Sequence, residues 1–211
     1  MNAACFQLRI ALFVVTALLS ASVSSASTEV TGELKATVDK ALSIVTDKKY
    51  KDDKKSRRKA LREVIDSRFS YEQMAMRSLA QDWNDRTLEE KKQFVELFSK
   101  LLESTYASRI ESYQDEKINF TDEDITGNHA LVKSQIVRKN GNIAVDYKLI
   151  NINGKWLVYD FVIEGVSMVR NYRTQFVSIL QKESYAGLVR MLATKADEIE
   201  SSAENAKPSA P

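Results

Sequence analysis

The sequence contains few of the residues that hold a protein together through covalent or metal bonds. Its 211 residues include one cysteine, Cys5, and one histidine, His129. This excludes a disulfide framework and argues against a structural zinc site or a cysteine–histidine catalytic pair. Proline and glycine are also scarce, with two and six residues, so collagen-like and low-complexity classes are excluded. We expect the fold to rest on packing alone.

An excess of charge of one sign is also absent. Lysine and arginine total 31 against 29 aspartates and glutamates, which gives a formal net charge of +2. Such a balance produces no net field that would hold a polyanion, so we expect no nucleic-acid binding. Apolar residues make up 44% of the chain, which is enough for one substantial core.

The N-terminal apolar run is too short to predict a permanent transmembrane helix. It covers residues 10–19, about half of the roughly 20 residues that a bilayer span needs. The run follows Arg9 and precedes Ser24 and Ala26, small residues at the −3 and −1 positions of a cleavage site. This pattern predicts a secretory signal peptide over residues 1–26 and export to a periplasm-like compartment.

The remaining chain has the length of one domain. We expect it to cover residues 27–197. Residues 198–211 are rich in serine, alanine, glutamate and lysine and contain both prolines, which is typical of a flexible C-terminal tail.

Four strand-like runs occupy the middle of the chain. They are separated by Gly127-Asn128, Asn140-Gly141 and Asn153-Gly154, dipeptides that supply the positive φ of tight hairpins. The third run alternates apolar and polar residues, so one of its faces is apolar. The pattern predicts an antiparallel meander of four strands. The runs are residues 117–126, 129–139, 142–151 and 155–163.

Apolar residues at helical spacing predict helices on both sides of the strands. The longest is expected to begin at Thr87, with Glu90 three residues later as a capping box, and to present an apolar stripe. Together the elements predict an α+β fold: a curved antiparallel four-stranded meander sheet covered by about five to six helices. The clearest helical segments are residues 30–45, 67–80, 87–113, 165–181 and 184–199.

The segment 47–59 is rich in basic residues and has two interpretations. Its eight lysines and arginines could form a docking patch for anionic lipid head groups or for an acidic partner. Three aspartates interrupt them, however, and dilute the field. We favour a solvated connection followed by the polar first turns of a helix.

Catalytic motifs are scarce. There is no glycine-rich phosphate loop after a strand, no GxSxG and no HExxH. His129 lies beside a turn, where a surface position is expected, and residues 122–124 lack the spacing of a calcium loop. Asp160 is the one candidate base, because a carboxylate in an apolar strand can have a raised pKa. An exported small-molecule isomerase or hydrolase using Asp160 is thus an alternative, as is an ion pair of Asp160 with Arg170 or Arg173.

Residues 156–176 contain the most specific motif of the chain. An aromatic-rich strand ending in Tyr159-Asp160 is followed by Ile163-Glu164-Gly165-Val166-Ser167, then by Asn171-Tyr172-Arg173 and Gln175-Phe176. This order resembles the signature of the MlaC family, periplasmic phospholipid-binding proteins also called toluene-tolerance auxiliary proteins. The resemblance spans about residues 34–192; at Ala80 many members carry glycine. Upstream agreement lies at Phe69, Met74, Ala75, Leu79, Trp83, Phe94, Phe98, Leu101 and Tyr106.

The resemblance implies a non-enzymatic carrier without a cofactor and without catalytic or metal-binding residues. Its cargo would be a glycerophospholipid, held by its acyl chains in an apolar cavity between sheet and helices, with the head group near the opening. The implied partners are an outer-membrane lipoprotein–porin complex and an inner-membrane ABC transporter with its MCE-domain subunit. The implied role is to maintain outer-membrane lipid asymmetry, and we expect a monomer.

Twelve residues are predicted to line the cavity, although core packing is the open alternative for each of them. Tyr172 and Arg173 are predicted to stand near its mouth. A third interpretation of the chain, an envelope interaction protein with a solid core, would leave no cavity. The twelve are Phe94, Phe98, Leu101 and Tyr106 on the long helix, Val145, Tyr147, Leu149, Trp156 and Val158 on the sheet, and Val166, Val169 and Phe176 after it.

Overall fold

The computed structural model describes residues 29–113 and 116–205, so the predicted signal peptide lies outside the described residues. Within them the chain forms six α-helices and five strands, together with short 3₁₀ turns at Lys48–Tyr50 and Ala80–Trp83. No helix in this part of the chain has the length and apolar character needed to cross a membrane. The elements are α1 (Glu29–Thr46), α2 (Lys54–Asp66), α3 (Tyr71–Leu79), α4 (Leu88–Glu111), β1 (Lys117–Thr126), β2 (His129–Val137), β3 (Ile143–Ile152), β4 (Lys155–Ile163), β5 (Val166–Ser167), α5 (Met168–Lys182) and α6 (Tyr185–Asn205).

The strands form one antiparallel sheet in the order β1-β2-β3-β4-β5. The predicted meander is confirmed, and the hairpin turns have the expected positive φ, with Gly127 at 60° and Gly154 at 81°. A bulge between Phe120 and Asp122 interrupts the β1–β2 register, and another between Lys148 and Leu149 interrupts the β3–β4 register. Bulges increase local twist, which is consistent with the expected curvature.

The fifth strand corrects the predicted strand count of four. Residues 165–167 were expected to begin a helix, but Gly165 has a φ of 78° and turns the chain back. Val166 and Ser167 then pair with Ile163 and Val162 at the edge of β4. The helix begins only at Met168, because the Ser167 side chain accepts a hydrogen bond from the Arg170 N–H and caps it.

The helices pack into a core of their own. Phe98 lies edge-on to Tyr172 with ring centroids 5.2 Å apart and to Phe176 at 5.5 Å. This helical core joins α3, the first part of α4, α5 and α6 and excludes water from large aromatic and aliphatic side chains. Its fully or nearly fully buried members are Met74, Ala75, Leu79, Trp83, Phe94, Phe98, Leu101, Leu102, Met168, Val169, Tyr172, Phe176, Leu188 and Leu192.

A second, smaller core lies between α1 and the sheet. Val30 and Leu34 of α1 pack there against Ala130, Val132, Leu149 and Val158. A short parallel bridge connects this sheet core to the helices: the Ser70 N–H donates to the Val158 carbonyl at 2.9 Å, and the Val158 N–H donates to the Arg68 carbonyl at 2.8 Å. The molecule therefore has two packed regions joined at β4.

The end of the last helix differs from the sequence expectation, whereas the start of α2 agrees with it. The last helix, α6, continues to Asn205, into the segment expected to be a tail. In the basic segment, Asp53 caps α2 by accepting a hydrogen bond from the Ser56 N–H at 2.9 Å. The second half of that segment therefore forms the first turns of a helix, as favoured, and its Arg58 pairs with Glu111 of α4.

Candidate functional site: an apolar cavity

A cavity of about 510 Å³ lies between the two packed regions. Its walls are α1, α2, the first part of α3, the second part of α4 and the inner face of the sheet, and most of the residues that face it are apolar. This volume lies within the range of about 300–1,000 Å³ that is typical of small-molecule pockets. The interpretation of the chain as a protein with a solid core is therefore wrong.

The sheet wall of the cavity follows directly from strand register. Ile136 of β2 stands between Ile118 of β1 and Ile143 of β3, so three isoleucines form one row across the sheet. Further along β3, two more apolar cross-strand pairs face the cavity: Val145 with Ile163, and Tyr147 with Phe161. Because side chains alternate between faces, these rows form a continuous apolar surface.

The helical wall comes mainly from parts of α1, α2 and α4 beyond the two cores, with Tyr71 and Met74 added from α3. Leu34, Met74 and Leu102 face the cavity and also belong to the cores. In α4, Phe94 and Phe98 are fully buried in the helical core, whereas Tyr106 and Ile110, further along, face the cavity. In α1, Val30 packs on the sheet, whereas the C-terminal half turns its apolar stripe to the open space. The apolar helical residues of the wall are Leu34, Val38, Ala41, Leu42, Leu61, Ile65, Tyr71, Met74, Leu102, Tyr106 and Ile110.

Three tyrosine hydroxyls of the wall, those of Tyr71, Tyr106 and Tyr147, are neutral at physiological pH. Burial raises the pKa of Tyr106 to about 12 and the pKa of Tyr147 to about 12, and burial likewise raises the pKa of Tyr71. The Tyr106 hydroxyl donates to the Met168 sulfur at 2.9 Å, so its polar end is directed away from the apolar space. The interior thus presents hydrocarbon surface with little charge.

Charged residues line the cavity only at its periphery. Arg62 Nη2 lies 2.6 Å from Glu103 Oε2, which links α2 to α4. Arg58 forms a similar link to Glu111 at 3.0 Å. Arg109 lies near the ring of Tyr106, 5.8 Å from its centroid. Arg138 is the fourth arginine of the lining.

Three of the twelve residues predicted to line the cavity do so: Tyr106, Val145 and Tyr147. Five others lie in the helical core because α4 and α5 pack their aromatic stripes on each other. These are Phe94, Phe98, Leu101, Val169 and Phe176.

The remaining four predicted lining residues also lie away from the cavity. Leu149 and Val158 are fully buried in the sheet core, where Trp156 packs against them. Val166 is 56% exposed, because it belongs to the edge strand β5 rather than to a buried helix.

The predicted mouth residues are also placed elsewhere. Tyr172 is buried between Phe98 and Phe176 in the helical core. Arg173, the next residue of α5, is exposed and is not part of the cavity lining. Successive helical residues point about 100° apart, so the residue after a core position of α5 faces solvent.

Sequence reasoning missed most of the wall. The stripe of α1 was recognised as helical, but nothing in its spacing distinguishes a cavity from a core. The sequence predicts only the polar first turns of a helix at the end of segment 47–59, and it gives no prediction for Leu61 and Ile65 of α2, which face the cavity. The strand positions Ile118, Ile136 and Phe161 were available from the period-2 alternation of an apolar inner face.

Asp160 is a structural residue in this fold. It is 4% exposed, and its Oδ2 accepts hydrogen bonds from Ser167 Oγ at 2.6 Å and Lys148 Nζ at 3.2 Å. Its Oδ1 accepts from the Val169 N–H at 3.1 Å, in the first turn of α5. Asp160 does not line the cavity, so nothing in this arrangement favours its use as a base.

The fold and the cavity define an α+β protein with a large apolar binding space beside a packed helical core. The family model of the MlaC protein matches residues 35–194, and the chain belongs to this family. The chain is 26% identical over 194 residues to the intermembrane phospholipid transport system binding protein MlaC of Haemophilus influenzae, covering 88% of this chain and 91% of that one.

The chain is also similar to a second curated protein and to a solved structure. The toluene tolerance protein ttg2D of Pseudomonas putida is 28% identical over 98 residues, 46% of each chain. The structure of a phospholipid-binding protein from Ralstonia solanacearum, solved in complex with a phospholipid, superposes with a TM-score of 0.75. That match has 22% sequence identity and covers 81% of this chain and 98% of the other, which shows the shared fold.

Proposed function

We propose that the protein is a non-enzymatic phospholipid carrier whose cavity holds the acyl chains of a glycerophospholipid. The observation that carries the proposal is the cavity itself, with apolar walls from α1, α2, α4 and the sheet. On this proposal Tyr106, Val145 and Tyr147 contact the acyl chains. The relatives described above support it, because the Haemophilus influenzae protein is named for phospholipid transport and the Ralstonia solanacearum protein was solved with a phospholipid.

The energetics of lipid transfer explain why such a cavity is useful. Moving one methylene from an apolar environment into water costs about 0.8 kcal/mol, so a chain of about 16 carbons faces a barrier of about 13 kcal/mol. A carrier removes this barrier by offering hydrocarbon surface in place of water. Its affinity must remain close to that of the donor and acceptor membranes, which apolar walls with few directional polar contacts allow.

We further propose the cellular setting that the family implies. The chain would be exported after removal of residues 1–26 and would act in the periplasm as a monomer, without a cofactor. It would exchange lipid with an outer-membrane lipoprotein–porin complex and with an inner-membrane ABC transporter that contains an MCE-domain subunit. This traffic would keep the outer leaflet of the outer membrane free of misplaced phospholipid.

Lipid extraction from the purified protein tests the carrier function. Protein purified from cells without added lipid is expected to release diacyl phospholipid in molar amounts comparable with the protein, as measured by mass spectrometry. Protein recovered empty that also takes up no lipid from vesicles would contradict the proposal.

A cavity-filling variant tests the location of the lipid. Ala41 of α1 faces the cavity, and Ala41→Trp would place an indole in the space of the acyl chains. If it displaces two methylenes at about 0.8 kcal/mol each, lipid loading falls about tenfold. Ala36→Trp, at an exposed position of the same helix, is the matched control and should load normally. Equal loading of both variants would place the lipid elsewhere.

A further inference from the structure

The mouth of the cavity is marked by the residues that both line it and are exposed. Among the described residues that line the cavity, four are exposed: Arg62, Arg109, Ser112 and Arg138. They come from three places in the chain, namely α2, the end of α4 with the residue after it, and the residue after β2. Three of the four are arginines, although the cavity wall as a whole is apolar.

The arginines of the mouth differ in whether their guanidinium groups form ion pairs with glutamates. Arg62 is bound through Nη2 to both carboxylate oxygens of Glu103, at 2.7 and 2.6 Å. Arg138 pairs through Nε with Glu116 at 3.1 Å. Arg109 has no ion-pair partner among the described residues, and its guanidinium lies beside the Tyr106 ring. Because a guanidinium has five N–H donors, Arg109 and the terminal amino groups of Arg138 remain suited to bind an anion.

The surroundings of the mouth also carry a surplus of positive charge. Arg57 and Arg58 both pair with one carboxylate, Glu111, at 3.6 and 3.0 Å. Counted over the described residues, five arginines of the mouth and its border stand against four acidic groups: Glu103, Glu111, Glu116 and Asp66, which interacts with the Tyr71 hydroxyl in the cavity wall. The Arg57 Nε is buried and has no hydrogen-bond partner. An added anion would therefore reduce the charge imbalance.

We propose that Arg109, assisted by Arg138, binds the phosphate of the lipid head group and favours phospholipids whose head group leaves a net negative charge. This inference rests on the proposed carrier function. With the acyl chains in the cavity, the glycerol emerges at the mouth and the phosphate is the next group along. Arginine matches the geometry of phosphate oxygens, and its contacts with them are charge-assisted.

A competition experiment tests the head-group preference. The protein is incubated with vesicles of equimolar phosphatidylglycerol and phosphatidylethanolamine, re-isolated, and its bound lipids are quantified by mass spectrometry. We expect phosphatidylglycerol to be enriched about three- to fivefold, the size of one partly exposed charge contact. In the double variant Arg109→Gln/Arg138→Gln the ratio should approach one.

The matched control removes the same charge from a different surface. Arg173→Gln/Arg190→Gln changes two exposed arginines of α5 and α6 outside the cavity lining, so it should keep the wild-type ratio. A loss of preference in this control would assign the effect to net charge and overturn the proposal. Circular dichroism of both double variants verifies that each is folded.

The arginines of the mouth could also bind free inorganic phosphate, which carries the same oxygens as the lipid phosphate. Excess inorganic phosphate at constant ionic strength should leave the lipid ratio unchanged, because the lipid phosphate is tethered by its acyl chains. If inorganic phosphate abolishes the preference, the arginines form a site for the free anion and the lipid proposal fails.

An unchanged lipid ratio in Arg109→Gln/Arg138→Gln also overturns the head-group proposal but leaves the carrier function intact. Absence of any lipid uptake by the wild-type protein would contradict the carrier function itself.

Discussion

At the scale of single residues, Asp160 shows how a buried charge supports the junction between sheet and helices. Its carboxylate joins β4 to the first turn of α5 and to Lys148 of β3. The Val169 N–H, which donates to this carboxylate, is one of the backbone amide groups that have no partner within the helix at its N-terminus. A negative charge at this position also interacts favourably with the helix dipole.

Asp160→Asn is expected to destabilise the protein without affecting lipid binding. The amide has one acceptor oxygen where the carboxylate has two, and it carries no charge opposite Lys148, so part of the network is left unpaired and a loss of about 2–3 kcal/mol is expected. Urea denaturation measures the free energy of unfolding, and vesicle uptake measures the lipid content. The control is Asp146→Asn on β3, which has no such network in the described structure and should change stability by less than about 0.5 kcal/mol. Normal stability with a lost catalytic turnover would instead support the enzymatic alternative.

At this scale, the sequence did not distinguish residues that pack in a core from residues that line the cavity. Phe98 and Tyr106 belong to one apolar stripe of α4, yet Phe98 contacts Tyr172 and Phe176 while Tyr106 faces open space. Both environments select aromatic and aliphatic side chains. The distinction depends on which other elements pack against each part of α4, and spacing along the chain does not contain that information.

At the scale of elements, the start of α4 is fixed by a reciprocal cap. The Glu90 N–H donates to Thr87 Oγ1 at 3.1 Å, and the Thr87 N–H donates to Glu90 Oε2 at 2.8 Å. This is the capping box that the sequence predicts. It matters for the site because α4 contributes to the helical core with its first part and to the cavity with its second.

Thr87→Ala should remove about 1 kcal/mol from the free energy of unfolding, since one cap hydrogen bond is lost. The change should appear as a lower urea midpoint with an unchanged slope. Ser99→Ala is the control, because its hydroxyl bonds an internal carbonyl of the same helix at an exposed position. Equal effects of the two substitutions would mean that the cap contributes nothing specific.

Prediction of elements succeeded where local chemistry decides the conformation. The Gly127 and Gly154 turns and the cap of α4 are local, and the structure has them as predicted. The two-residue strand β5 was missed because it is too short for any periodicity. It exists through pairing with the edge of β4, a tertiary contact that its own residues do not encode.

At the scale of the whole molecule, the cavity separates two regions that are packed independently. The helical core contains the large aromatic cluster, and the sheet core contains Val30, Leu34 and their partners. Leu34 of the sheet core and Met74 and Leu102 of the helical core also face the cavity, whereas the other members of both cores lie away from it. The empty cavity lacks the dispersion contacts that the acyl chains would supply.

Removal of lipid is therefore expected to lower the melting temperature. Under conditions in which lipid is about 100 times its dissociation constant, binding stabilises the folded state by about 2.7 kcal/mol, which corresponds to about 5–10 °C for a chain of this size. Differential scanning calorimetry of loaded and delipidated protein measures the shift. The variant Ala41→Trp should gain much less from added lipid. Identical melting temperatures for both wild-type samples would show that the cavity holds no stabilising cargo.

The apolar walls also bear on which fatty acids a carrier of this kind accepts. Rows of isoleucine, valine and aromatic rings contact hydrocarbon without directional bonds, so they provide no means of counting carbons or locating a double bond. Under the proposed function, a cell that shortens or desaturates its fatty acids in the cold would be served by the same protein. Discrimination among lipids would then reside in the polar end of the cargo, where the arginines are.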